Sequence, residues 1–299
     1  MLVASLLAVT VACETQYSDA IADFGTAATT VVQQTRSAYT VVNDTVLQQE
    51  ILAVATKAAP IDSDPSKAFP LFVTDEDLNI RQALLDALQA YAAALSKLTT
   101  KASGDVDAET SKLAASMTAL AGNDRLEHSF REAKHISKDE INAGSAALGA
   151  IAKFLIERKI ASQLPAMLKQ NQPHIDAIVT LLTREIGDTP TSDQPGGLRG
   201  KLWRTHNRLI EDQTQLVNAS PAGSNEKQEK TAKLAELVRS QRNADAALAG
   251  TQAALKKLST AHRALLQVQT APADFKTEVA ALWAQAKQAQ DFYTKLPNK

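Results

Sequence analysis

Glu132 and His135 stand three residues apart, and His128 lies four residues before Glu132. On a helix, a Glu-x-x-His pair can bring a carboxylate and an imidazole to one metal, provided that other helices supply the remaining ligands. At about 100° per residue, Leu126, Phe130, Ala133 and Ile136 define the apolar side of this segment, whereas His128, Glu132 and His135 point away from it. No second Glu-x-x-His accompanies them. The trio therefore reads as a solvated face, and no metal or other cofactor is expected.

The run Gly196-Gly197-Leu198-Arg199-Gly200-Lys201 has the look of a phosphate loop, but the details fail. Pro195 stands where such a loop needs its first glycine, Leu202 where it needs a hydroxyl, and no strand precedes it. The run does gather Arg199, Lys201, Arg204, His206 and Arg208 around Trp203. Arg199, Lys201, Arg204 and Arg208 are a candidate contact for an anion or for lipid headgroups. The plainer expectation is a solvated helix start with Trp203 buried.

The five histidines (128, 135, 174, 206 and 262) are scattered, with no Gly-x-Ser-x-Gly elbow and no His-Glu-x-x-His. Nothing positive points to an enzyme. Lys and Arg total 32 against 33 Asp and Glu, a formal charge of −1. A protein that neutralises many phosphates carries a basic excess, so nucleic acid is not an expected partner. Ile141 to Ile156 is the most apolar internal run, but it falls short of the ~20 residues that cross a bilayer, and Lys153 interrupts it. Its Gly144 and Gly149 favour tight helix packing, with a membrane-active hairpin as an alternative.

The elements that must position these residues are helices. Aromatics make up only 4 %, and glycine (11) and proline (10) are too few for an all-β or βαβ chain. The core must come from Ala, Leu, Val and Ile. Apolar residues spaced by three and four predict a very long helix over about 17–59, with Gly25 and Thr26–Thr30 as a less regular start. Thr74 with Asp75, Glu76 and Asp77 is a helix start, running to Gly104. Shorter helices follow over 105–122 and 124–135, and Ser137 with Glu140 forms a capping box for a helix through Ile160. Pro165 and Pro173 are expected to break or kink what comes next, and Ile175, Ile178, Val179 and Leu182 continue a helix to Gly187.

Helices over 198–217, 226–269 and 273–296 complete the chain, and loops fall near 60–73, 188–197 and 219–225. The 226–269 helix keeps a near-heptad stripe through Leu234, Leu237, Ala244, Leu248, Thr251, Leu255, Leu258 and Leu265, with Gln241 and His262 in the same register. A coiled-coil pair of the two long helices, with shorter ones packed on it, is the expected arrangement. Ala87–Lys101 and Ala247–Ala261 share an Ala/Leu/Lys pattern, read as similar composition rather than duplication. The fold class is thus an all-α, elongated helical bundle.

The first residues, MLVASLLAVTVA, form an apolar run ending at Cys13, the only cysteine, after which Glu14, Thr15 and Gln16 are polar. The run is the length of a secretory h-region. With Ala12 before Cys13, it resembles the lipobox of bacterial lipoproteins. That resemblance implies removal of residues 1–12, a diacylglyceryl group on the Cys13 sulfur and an acylated amine. Glu14 is not the Asp that retains such proteins at the inner membrane, which implies the outer membrane, facing the periplasm, in a Gram-negative host. Read without the resemblance, the segment also fits a buried first helix with a free cysteine.

The expected function is a non-enzymatic cell-envelope lipoprotein: 13–299 as one helical module, tethered through Cys13, meeting a protein partner or another copy through a long helix. A ligand-binding helical module and a membrane-active helical protein are the alternatives.

Overall fold

The computed structural model describes residues 4–56, 69–99, 114–115, 117–118, 125–130, 136–157, 164–188, 196–268 and 270–296, with side chains described from Asp19 onward except at 56, 97–99, 125, 156–157 and 164–165. The chain is all-α, and the described residues form eight ranged helices: α1 (Ala4–Thr56), α2 (Asp75–Thr99), α3 (Arg125–Phe130), α4 (Lys138–Glu157), α5 (Leu164–Ile186), α6 (Gly197–Ala219), α7 (Asn225–Leu265) and α8 (Pro272–Tyr293). Most of the expected 105–122 helix lies outside the described residues, but Ala114 and Met117 within it are helical and buried.

α1 holds 53 residues, about 80 Å at about 1.5 Å per residue. It is continuous through Cys13 and regular through the Thr-rich stretch. Each of these hydroxyls returns to the helix itself: Thr26 Oγ1 donates to the Ala22 carbonyl at 3.0 Å, Thr29 to Gly25 at 3.0 Å and Thr30 to Thr26 at 3.1 Å. The hydroxyls therefore do not compete with the helix for its amides. Gly25 marks the close approach of α2, where a Cβ would stand 2.3 Å from Ser96 Oγ.

The predicted caps form. Thr74 Oγ1 accepts from the Asp77 amide at 3.2 Å. Ser137 and Glu140 bond reciprocally: the Glu140 amide donates to Ser137 Oγ at 3.2 Å, and the Ser137 amide to Glu140 Oε2 at 2.8 Å. Ser224 caps α7 by accepting from the Lys227 amide at 3.1 Å.

Pro173 does not break α5. The carbonyl that loses its amide belongs to Lys169, and Lys169 and Pro173 are both exposed, so water can donate to that carbonyl in place of the missing amide. α7 ends at Leu265, four residues before the expected limit, because the chain tightens into turns over 266–268.

Most of the buried apolar residues form one cluster drawn from α1, α2 and α4–α8 with Leu126 and Phe130 of α3. The two long helices meet, but each packs more extensively on a neighbour, α7 on α8 and α1 on α2. α7 meets α8 at Gly250, where an added Cβ would lie 3.0 Å from Ala289 Cβ and 3.1 Å from its Cα. Gly250→Leu should push this pair apart and destabilise the fold by about 2 kcal/mol, read from urea unfolding; an unchanged midpoint would contradict the packing. Gly187 and Gly197 adopt positive φ (82° and 71°) and pinch the ends of the 188–196 connection together. A Cβ on Gly187 would lie 2.3 Å from the Gly196 carbonyl oxygen.

Candidate functional site

The described core holds two polar networks. In the first, Arg81 of α2 and Glu185 of α5 pair through Arg81 Nε and Glu185 Oε1, and the Tyr39 hydroxyl of α1 donates to Glu185 Oε2. Arg81 Nη1 also donates to the Asp77 carbonyl at 2.9 Å and to Ser129 Oγ at 2.5 Å, and its guanidinium lies 4.4 Å from the centre of the Phe130 ring. Arg81 is 5 % exposed and Glu185 3 %. Burial, then the neighbouring Glu185 carboxylate, pushes the Tyr39 hydroxyl well above its usual range. Burial works against the Arg81 charge, but Glu185 and Tyr39 hold it even more firmly protonated than usual. Four helices are fastened at this point: α1, α2, α3 and α5.

The second network is a relay. Tyr91 OH lies 2.7 Å from His262 Nε2, and His262 Nδ1 lies 2.6 Å from Gln172 Oε1. Gln172 Nε2 donates to Asp176 Oδ1 at 2.8 Å, and Asp176 also accepts from Ser259 and from Arg263 Nη2 at 3.2 Å. Asp176 accepts from the Gln172 nitrogen, so the Gln172 oxygen must face His262. Nδ1 therefore carries the imidazole proton, Nε2 is bare, and the Tyr91 hydroxyl donates to it. Burial lowers His262 to about 4, against a weaker opposing effect of Asp176. Burial opposes the Asp176 charge, but hydrogen bonds from Ser259, Gln172 and Arg263 outweigh it and hold the carboxylate below its usual value.

The residue types of this relay are those of acid–base catalysis. Tyr91 is 1 % exposed and His262 0 %, so no reactant can reach the imidazole in this conformation. Its rings instead stack into the core, His262 at 5.4 Å from Tyr91 and 6.1 Å from Phe24.

The basic set at the start of α6 divides. Arg199 turns inward and makes a two-pronged pair with Asp245 of α7, Nε to Oδ1 at 2.9 Å and Nη2 to Oδ2 at 3.0 Å. It is 5 % exposed and leaves the anion-contact set. Lys201, Arg204 and Arg208 stay together on the outer face, as their spacing of three and four dictates. Lys201 Nζ lies 5.1 Å from the centre of the exposed Phe72 ring. Burial, then the charges of Arg204 and Arg208, lower the Lys201 ammonium, with Glu50 opposing. The expected burial of Trp203 is corrected: it is 39 % exposed. The buried face of α6 centres on Leu198, Leu202 and Leu209, and Trp203 sits about 100° beyond Leu202, at the edge of that face.

This chain matches no family model, no curated protein and no solved structure.

His128 is exposed, while Glu132 and His135 lie outside the described residues. His206 is buried and hydrogen-bonds the Leu202 carbonyl at 3.1 Å, and burial lowers its pKa. Among the described residues no helix is long and apolar enough to cross a membrane. In the Ile141–Ile156 run, Gly144 is buried against Leu181 of α5, where a Cβ would lie 2.7 Å from Leu181 Cδ2. A groove of about 370 Å³ between α1 and α8 is lined by Asp19, Asp23, Lys276, Val279 and Trp283 among others. Sequence reading missed both buried networks. Their only signal was polar residues in register with an apolar stripe, as His262 is.

Proposed function

We propose that this chain is a non-enzymatic, exported helical module, lipid-anchored through Cys13, that acts through the outer faces of a rigid bundle. The observation that carries the reading is that Tyr39, Arg81, Glu185, Tyr91, Gln172 and His262, the residues best suited to chemistry, are spent on one another inside the core. Such a core fixes helix register, a role buried polar groups serve in other bundles. What remains to act is surface. The tether comes from the lipobox-like run ending at Cys13, and two or more acyl chains give stable anchoring. In a Gram-negative host the protein would lie at the outer membrane, facing the periplasm. The coiled-coil contact suggested by the heptad stripe is assigned to a partner or a second copy along the first half of α7, where Leu234 and Val238 remain partly exposed.

The anchor is tested by labelling growing cells with radioactive palmitate. The parent should incorporate label and sediment with membranes, while Cys13→Ala loses the label and becomes soluble. An unlabelled parent, or a mature protein that begins at Met1, would overturn the tether.

A further inference from the structure

α5 is fastened unevenly along its length. Its last turns are tied down twice: Glu185 holds Arg81 and Tyr39, and Gln252 Nε2 of α7 donates to the Thr183 and Gly187 carbonyls, each at 3.1 Å. In its middle, Asp176 accepts from Ser259 and Arg263 of α7. Ahead of these, Gln172 accepts from His262 of α7. The three contacts with α7 share one antiparallel register, which sets Leu168 opposite the turns that end α7. From Ala166 to Gln172, Leu168 is the one fully buried aliphatic side chain, and buried Asn171 bonds only back to the Met167 carbonyl at 2.8 Å. Pro173 follows at once and gives the Lys169 carbonyl no amide. The helix ladder is therefore weakest where the lightly held turns join the fastened ones.

Acid acts on the lightly held end. A second proton on His262 makes both ring nitrogens donors. Nδ1 can still donate to Gln172, but Nε2 then claims the Tyr91 oxygen and strands the Tyr91 hydrogen. Among the described residues that hydroxyl bonds only to His262. No carboxylate meets the new charge: Gln172 stands between His262 and Asp176, and Arg263 already pairs with Asp176. Around the ring, α1 brings Phe24, and α4 brings Phe154 behind Tyr91. On the α8 side, Lys257 and Glu278 pair with each other at 3.3 Å. His174, beside Pro173, is half-buried, and burial lowers its pKa as well. Water is the remaining partner for an imidazolium and a stranded hydroxyl, and parting Gln172 from His262 admits it.

We propose that Ala166–Gln172 form a flap that acid releases from α7, hinged at Pro173, while the rest of α5 stays fastened. Hydrogen exchange of the full-length protein at pH 7 and 4.5, corrected for the intrinsic pH dependence of the rates, tests this. Opening at the Leu168–Gln172 amides should rise about 80-fold at pH 4.5, the factor for an imidazole whose pKa goes from about 4 closed to about 6.5 open. The amides of Ile178–Ile186 should hardly change. His262→Gln should abolish the rise, and Tyr91→Phe, with no hydroxyl to strand, should reduce it. His174→Gln should keep it. Pro173→Ala restores the missing amide and should protect the flap more at both pH values. An equal rise along the whole chain, or one that begins at 178–186, would overturn the flap in favour of general unfolding. So would no rise at all, a rise that persists in His262→Gln or vanishes in His174→Gln, or no added protection in Pro173→Ala.

Discussion

Replacing Glu185 by Gln is expected to destabilise the protein by about 3–5 kcal/mol, because it strands a buried guanidinium without its counter-charge. Arg81 has no route to water at 5 % exposure, and burial does not release its proton. Arg81→Met alone should cost a similar amount, since it leaves the Glu185 carboxylate with only the Tyr39 hydroxyl. Removing the whole network with Tyr39→Phe/Arg81→Met/Glu185→Leu is expected to recover most of the loss, because well-packed apolar groups can replace a buried ion pair at little net cost. Urea unfolding of the three proteins decides the matter. If Glu185→Gln costs under about 1 kcal/mol, the pair is not isolated from solvent as described.

The second large effect is a dependence on acid. His262 is neutral in the folded chain, with its pKa lowered to about 4, while in the unfolded chain it takes a proton near 6.5. Between these values the unfolded state binds more protons, so stability is complete above about pH 6.5 and falls as the pH drops towards 4. The loss from this one residue is about 3 kcal/mol. His206 is shifted in the same direction by burial and adds to the slope. His262→Gln keeps hydrogen-bonding capacity but cannot be protonated. It should be less stable than the parent at pH 7, yet lose about 3 kcal/mol less between pH 6.5 and 4. Equal losses in parent and variant would show that His262 is not the group responsible.

Much of the architecture was legible because it follows from local rules. The Thr74 and Ser137 caps announce themselves by hydroxyl and carboxylate spacing, and the apolar stripe of α7 survives the polar Gln241, Thr251 and His262 without losing its period. Pro173 was open to two outcomes, a break or a kink, and the continuity of α5 excludes the break because the exposed side of the helix tolerates the missing amide, which a local sequence window does not reveal. Trp203 misled for a related reason. Its size argues for burial, while its angular position on α6 leaves it at the rim. The four basic residues from Arg199 to Arg208 read as one patch, but the rotation of the helix sends Arg199 inward to Asp245 and the other three outward. Apart from Arg81 to the Asp77 carbonyl and Gln172 to Asp176, the two polar networks join residues 48 to 171 positions apart, and pairing at that range has no local pattern. Only Gln241, Thr251 and His262, standing in an otherwise aliphatic register, hinted that polar groups meet in the interior.

The account turns on a core that is closed around its own polar groups. Nitrogen-detected imidazole spectra of the folded protein at pH 5.5 test this most directly. His262 should be fully neutral, with its proton on Nδ1 and a bare Nε2 facing Tyr91. An imidazolium signal from His262 at that pH, or the opposite tautomer, would mean that water reaches the relay, and the reading of this network as a sealed fastening would be wrong.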